Sequence, residues 1–573
     1  MTHIQGQTKM HPTSASLISR IMRGGGGRLH FFEDESFEFT EAERGVIPGA
    51  PPTPVHALGV RVVYGLTSVL VGLTGALGNG LVIANLPYLQ GPLQLNSSEV
   101  AWLPASYLMT TAIAGSVLVK YRQLFGIRSF CMVFLAIQVL LIAAHLSVQG
   151  LESAVAIRAA SGVCGSALLS LGVFYMIQAF PVSRRLSAVA LGIGIPQLAL
   201  PLARLFPKDD LAFDNWRGLT LFELGLSVVT LAVVMLVRLP PNKRENTFEP
   251  LDAFTFLLYA AGVGLLGSSL GLGGYLWWTN EAWIGIALAT AIPCLAVVLV
   301  MEYFRSNPLI DVRWLSSATF IRWSLVAIVW RVAIAEQSIG VIGMLRDFGL
   351  TNDELSGLSI IIFLSAVAGL LTAAVVISAK RLPQMVMIAL SLVATAAFVD
   401  SFSGMDSRVP QFLLTQGVVA FATTMFIGPS FIFGLSRVIT EGGAKMTSFV
   451  ALFGITQAIG TLAGTAFVQS YLFYSQQLHL SDFANQAPKS SALVAQLFFD
   501  AARRYGTTIA DPVLRSGEVA LTFAQQTLLA ARVAAYNDVF FAISIIAALA
   551  AALVGLATLC VPILGLITGR TGQ

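Results

Sequence analysis

Four ionisable side chains interrupt long apolar stretches of this sequence: Arg158, Glu223, Arg331 and Glu336. A charge inside such a stretch is costly unless it faces a water-filled cavity or finds a partner, so each of the four marks a place where the chain handles charge. Desolvation raises a buried carboxylate's affinity for a proton and a nearby arginine lowers it, which poises the group to exchange a proton as a cavity opens and closes. Glu223 and Glu336 are the proton-coupling candidates, with Arg158 and Arg331 as their counter-charges or as anchors for an anionic ligand. Arg331 and Glu336 are five residues apart and do not share one helix face, so each is expected to pair with another segment, and structural ion pairing is the competing reading for both. Three further groups lie nearer to stretch ends: Arg322 can snorkel to the interface, His145 reads as an interfacial histidine and Arg204 as a cap on an outer gate. No Ser/His/Asp or metal-ligand arrangement and no phosphate-binding glycine loop is present, so no catalytic residue, metal or cofactor is expected. Cys131, Cys164, Cys294 and Cys560 all fall in apolar runs without a CxxC pair and read as packing residues.

The elements that must carry these groups are membrane helices. The 573 residues are 56% hydrophobic and only 11% charged, against about 25% charged in soluble domains. Net charge is +4, from 34 Lys and Arg against 30 Asp and Glu, and the basic residues sit in short loops, which gives no footing for nucleic acid. Fourteen apolar runs are long enough to cross about 30 Å of hydrocarbon: 61–87, 101–119, 125–148, 151–175, 186–206, 216–238, 252–275, 282–302, 318–344, 355–378, 383–402, 409–434, 446–474 and 537–566. Loops on one side carry Lys120, Arg122, Arg184, Arg185, Lys243, Arg244, Arg305, Arg313, Lys380, Arg381, Arg437 and Lys445. The opposite loops are nearly free of Lys and Arg, so the first side is cytoplasmic, and the even count puts both termini there.

Residues 1–56, with an RGGGGR run, an acidic phenylalanine-rich stretch and PGAPPTP, read as a disordered cytoplasmic tail, and no cleavable leader is expected. One outer loop, 476–536, is far longer than a connector needs to be. Apolar residues near helical spacing, with Arg503, Arg504 and Arg532 among them, suggest amphipathic helices lying on the membrane or on a partner. Gly162 with Gly165, and Gly460 with Gly464, read as small-residue faces for close helix packing. Asn79 and Asn85 in the first span and Pro87 at its exit are candidates for a cavity or gate, although a plain helix stop is as good a reading of Pro87.

Several segments resemble one family in the right order. ANLPYLQGPLQLNSSEVAW (Ala84 to Trp102) looks like the family's first-span exit; IRAASGVCGSALL (Ile157 to Leu169) is similar to its fourth-span motif, NWRGLTLFELG (Asn215 to Gly225) to the start of its sixth span and EYFRSNPLIDVRWLSSATF (Glu302 to Phe320) to its eighth-to-ninth connector. The chain thus resembles the fourteen-span drug:proton antiporters of the major facilitator superfamily, the EmrB/QacA type, from about Gly65 to Ile567. The resemblance implies an all-α membrane fold of two six-helix bundles, 57–238 and 316–566, with two extra spans and a connector at 239–315 and a short tail at 567–573. It implies a non-enzymatic exporter of amphipathic organic compounds in the bacterial inner membrane, driven by protons. In such relatives a periplasmic membrane-fusion adaptor and an outer-membrane channel are partners. Arg158 and Arg331 favour an anionic substrate. An uncoupled facilitator, an importer and a non-transporting receptor are the alternatives.

Three positions depart from the family. Its first span usually carries an aspartate in a pattern like L-D-x-T-I, where this chain has Leu77-Gly78-Asn79-Gly80-Leu81. Its fifth-span G-P-x-x-G-G run is reduced to GIGIPQLALPLARLF (Gly192 to Phe206), and Lys120 stands where the gating loop often has an aspartate.

Overall fold

A helix that satisfies its own backbone hydrogen bonds is one of two ways for a chain to cross hydrocarbon, and this chain uses it throughout. The structure, a computed structural model, describes residues 43, 49–206, 216–242, 244–245, 248–441, 443–486, 492–506 and 508–567. Fourteen helices are long and apolar enough to cross: α1 (Leu58–Ala84), α2 (Trp102–Phe125), α3 (Ile127–His145), α4 (Leu151–Ala179), α5 (Val182–Ala203), α6 (Arg217–Leu236), α7 (Pro250–Leu276), α8 (Ala282–Phe304), α9 (Ala318–Asp347), α10 (Ser356–Val376), α11 (Leu382–Asp400), α12 (Val409–Thr440), α13 (Met446–Asn485) and α14 (Pro512–Thr558). Their number matches the apolar runs, and no strand occurs among the described residues.

Two apolar cores organise them. One joins spans from α1 to α6 around Tyr64, Phe130, Leu168 and Tyr175; the other joins α9 to α14 around Trp330, Val393, Phe426 and Phe540. Trp330 stacks on Phe426 with ring centroids 4.0 Å apart. The glycine faces pack as their spacing suggests: a methyl group on Gly162 would lie 2.2 Å from Thr110 Oγ1 and 2.3 Å from the Tyr107 carbonyl oxygen of α2. Gly464 comes close to α9 in the same way, where a methyl would lie 2.9 Å from the Arg331 carbonyl oxygen. Gly162→Ala is therefore expected to lower the thermal unfolding midpoint in detergent, an overpacking penalty of about 1–3 kcal/mol. Gly225→Ala, which points into open space on α6, should leave the midpoint unchanged.

The two additional spans lie against the seam between the cores. On α7, Gly267 faces Met109 of α2 and Ile459 of α13, and Gly271 faces Ala105 of α2 and Leu462 of α13. α8 packs on the outer side of α7, with Leu295 against Gly262. A knot of charges pins the terminal end of α7: buried Asp252 pairs with Lys120 at the end of α2 and, at 2.7 Å, with Arg305, which also holds Glu249 at 2.7 Å and Glu302 at 3.1 Å. Partial burial opposes the Arg305 charge, but these carboxylates outweigh it and raise its proton affinity above the ordinary arginine value. Lys120 thus fastens α2 to α7.

Two expectations are corrected. The stretch 476–536, read as a loop carrying amphipathic helices, does hold one at Ala492–Tyr505, but on either side it prolongs the flanking spans: one helix runs Met446–Gln486 and another Pro512–Ile567. The first has 41 residues, about 60 Å at 1.5 Å per residue and twice the hydrocarbon thickness. Hydropathy falls at the membrane face, but glutamines such as Gln476 and Gln477 are good helix formers and nothing there breaks the helix. Secondly, residues 49–56 of the expected tail are docked on the face where the chain begins. Pro51 and Pro52 are buried, the Gly49 carbonyl accepts from Arg122 Nε (2.9 Å), the Pro52 carbonyl from Gln178 Nε2 (2.8 Å), and His56 meets Gln178 Oε1 at 2.9 Å. Apart from Glu43, the remainder of that tail, including the phenylalanines at 31–39, and residues 568–573 lie outside the described residues.

Candidate functional site

Local structure at Leu77–Leu81 accounts for its odd sequence. Gly80 brings α1 against the backbone of α5, since a methyl there would lie 2.9 Å from the Ala199 carbonyl oxygen. Gly78 faces α6, and a methyl on it would lie 1.9 Å from Glu223 Oε1 and 2.6 Å from its Cδ. The Glu223 carboxylate occupies the volume that a side chain at position 78 would fill. Both groups line a small cavity of ≈ 40 Å³, shared with Asn85, His145, Arg158 and Thr220, room for about two waters.

Arg158 joins this cavity to a larger one. It shares the small cavity with Glu223, and its guanidinium lies over the Tyr107 ring at 4.8 Å and donates from Nη2 to Asn79 Oδ1 at 2.7 Å. Asn79 lines a central cavity of ≈ 410 Å³ between the two cores. That cavity runs from Arg204 near the far end of α5 to Arg122 near the terminal face, with Arg331 on α9 between them, and among the described residues no Asp or Glu lines it. Phe174, Phe431 and Phe453 supply apolar wall, and Thr111, Thr423 and Thr461 supply hydroxyls. Arg122 is held by the Gly49 carbonyl and stacks against Phe174 at 4.6 Å. Arg331 donates from Nε to Gln457 Oε1 at 2.7 Å. Buried Arg204 has no hydrogen-bond partner on Nε among the described residues, and the charge acting on it is another arginine, Arg346.

Toward the far face, hydrogen bonds join the two halves. Arg346 Nη2 donates to the Ala84 carbonyl (2.8 Å), and Asn352 Nδ2 donates to that carbonyl (3.2 Å) and to Asn85 Oδ1 (3.0 Å). Asn85 caps α1 at this latch.

The structure brings Glu223, Arg158 and Asn79 together and puts Arg331 in the central cavity. It separates Arg331 from Glu336: Ala335, Gln337 and Ser338 line the cavity, whereas Glu336 is fully buried behind them and accepts from Gln416 Nε2 at 2.9 Å. Pro87 lines neither cavity; it is exposed in the single turn Leu86–Leu89, the helix-stop reading, because the chain has already left α1 at Ala84. His145 is buried in the small cavity rather than interfacial, and Arg204 lines the central cavity rather than capping a gate. Sequence reasoning missed Asp400, Gln416 and Gln457. Asp400 ends its span and looked like an ordinary boundary charge, and the glutamines carry no charge to draw notice.

No protein-family model matches the chain. Part of it is similar to the multidrug export protein EmrB of Haemophilus influenzae, 23% identical over 252 residues, which is 42% of this chain and 47% of that protein. It is also similar to the probable multidrug resistance protein EmrY of Escherichia coli, 25% identical over 243 residues, 41% of this chain and 46% of that protein. The chain spans about half the length of the curated relatives it matches. Among solved structures, one described under substrate recognition in proton dependent oligopeptide transporters covers 87% of this chain and 98% of its own, with TM-score 0.52 and 12% identity. Tetrameric PepTSo2 covers 89% of this chain and all of its own, with TM-score 0.51 and 12% identity. At that identity the likeness is one of fold: the major facilitator fold, here with fourteen membrane helices.

Proposed function

We propose that this chain, with its major facilitator fold and its partial similarity to EmrB-type exporters, is a secondary transporter of the bacterial inner membrane that moves amphipathic organic anions outward in exchange for protons. The observation that carries the reading is a central cavity lined, among the described residues, by three arginines and no carboxylate, and joined through Asn79 and Arg158 to a separate pocket holding Glu223. Phenyl walls suit the apolar body of such a ligand and arginine suits its carboxylate or sulfonate. Arg204 and Arg331 are the anchors, and Glu223 is the proton site with Arg158 as its counter-charge. Asn85 serves as a gate residue through its bond to Asn352. Closure at the latch with a cavity reaching the terminal face corresponds to an inward-facing state, given the basic loops that assign the terminal face to the cytoplasm. The helices that prolong α13 and α14 beyond the far face offer a surface of the kind a periplasmic adaptor and outer-membrane channel would use.

One feature favours a second reading. An anion drawn to Arg158 through Asn79 weakens its hold on Glu223 and so favours a proton there, which binds both solutes in one state, as in inward co-transport. Proteoliposomes distinguish the readings with taurocholate, a permanently charged amphipathic anion, as probe and ethidium as the cationic control. Export by exchange predicts that taurocholate accumulates against an imposed proton gradient, and co-transport that it moves with the gradient. Arg204→Gln with Arg331→Gln is expected to cut taurocholate transport at least tenfold, since a charge-assisted contact is worth about 1.5–3 kcal/mol. Transport of ethidium but not taurocholate would overturn the anion assignment.

A further inference from the structure

The second core holds a polar cluster that the central cavity does not use. Gln416 of α12 offers one amide nitrogen to two carboxylates, 2.9 Å from Glu336 Oε1 of α9 and 2.9 Å from Asp400 Oδ2 of α11. The two carboxyl groups are also within hydrogen-bonding reach of each other. Glu336 is 0% and Asp400 3% exposed. Among the described residues Glu336 Oε2 and Gln416 Oε1 have no partner, and no basic side chain acts on either acid. The other polar neighbour is Thr415 of α12; α14 faces the cluster with Phe540, packed against Gly340.

Two carboxylates this close in a dry interior repel, and two acceptors cannot hydrogen-bond without a proton between them. A proton resolves both problems, since it removes one charge and turns one orphaned oxygen into a donor. Buried polar groups left unpaired carry the full desolvation penalty, so the arrangement as found has a place for one hydrogen.

Position in the fold repeats that of the Glu223 pocket. His145 is the last residue of α3 and Asp400 the last of α11; Arg158 and Gln416 stand at the same step, the eighth, of α4 and α12. Glu336 lies about as far along α9 as Gly78 does along α1. The two six-helix halves of this fold are related by a parallel repeat, so the clusters fall at equivalent places in the two halves. Glu336 opens a stretch of π-helix, Glu336–Val341, a widening often found at functional sites.

We propose that Glu336 and Asp400 form a second proton-binding site, in the opposite bundle from Glu223. Together they carry one proton, taken up from water at the far face where Asp400 ends its helix and released as the bundles rock. Uptake adds one hydrogen to a carboxylate oxygen and lowers the negative charge of the pair from two to one. The cavity wall feels that change directly, because the Gln416 backbone carbonyl accepts from Gln337 Nε2 at 3.0 Å and Gln337 lines the central cavity.

The test uses the full chain in lipid nanodiscs and infrared difference spectra recorded across neutral pH. A carboxylic-acid carbonyl band should survive Glu223→Gln, disappear when Glu336→Gln is added, and shift when Asp400→Asn is added, because the acceptor of its hydrogen has gone. No such band in the Glu223→Gln protein, or a band indifferent to both changes, overturns the proposal. So does a band abolished by sodium chloride but not by choline chloride at fixed pH, which would make the cluster a sodium site. In proteoliposomes loaded as above, each variant should lower proton-driven taurocholate accumulation about tenfold per unit of imposed pH difference, the loss of one coupled proton. That second measurement rests on the transport reading, whereas the infrared bands do not, so the two failures are distinguishable.

Discussion

Replacing Glu223 by glutamine will leave a folded protein in which an imposed pH gradient drives solute across proteoliposomes about tenfold less strongly per unit of pH difference, the loss of one coupled proton. Glutamine keeps the shape that fills the space beside Gly78 but takes no proton near neutrality. A stronger version follows from Gly78 itself. The resemblance puts an aspartate near this position of the first span, yet here a side chain there would collide with the Glu223 carboxylate, which lies 1.9 Å from the Cβ position. From α6, the Glu223 carboxylate fills the space in which a side chain at position 78 of α1 would sit. Gly78→Asp alone should remove the coupling carried by Glu223, since two carboxylates would compete for ≈ 40 Å³ beside one arginine. Gly78→Asp with Glu223→Ala removes the collision, returns a carboxylate to face Arg158 and should regain a substantial part of the gradient-driven transport. A double variant as inactive as Gly78→Asp, although folded by its melting profile, would count against Glu223 as the coupling group.

Asp252→Ala should produce the largest loss of stability. Asp252 is 2% exposed and holds Lys120 and Arg305 together. Removing one partner of a buried ionic cluster leaves uncompensated charge and costs about 3–5 kcal/mol. A sharply lower unfolding temperature in detergent is the readout, with Asp252→Asn intermediate. Glu249, whose side chain is 43% exposed on the rim of the same cluster, provides the comparison: Glu249→Gln should change the unfolding temperature little. Equal effects from the two would mean that the cluster is hydrated and contributes little.

How much of this was legible depended on whether a residue's role follows from its own span. Fourteen crossings could be read because each is a long, predominantly apolar run. Arg158 and Glu223 stood out because a charge in the middle of an apolar run is too costly to be there for packing alone, although their sharing of one small cavity between α4 and α6 could not be read from spacing. Asp400 was hidden by its place at a helix end, where a charge normally reaches water; only the packing of α9 and α12 over it shows that it does not. Arg331 and Glu336 could be separated by spacing alone, since five residues put them on different faces of α9; which face meets the cavity and which is buried behind its wall could not be read. The extensions of α13 and α14 escaped hydropathy because a helix does not end where the membrane does.

The placement of α7 makes the protein lopsided toward the bilayer. Its glycine face closes the joint between α2 and α13, so hydrocarbon meets α7 and α8 on that flank. On the opposite flank α5 meets α10 and α12 directly, Gly194 against Leu370 and Gly428 against Ala190. A lipid-dissolved solute therefore meets α7 and α8 over one joint between the halves and the direct packing of α5 on α10 and α12 over the other.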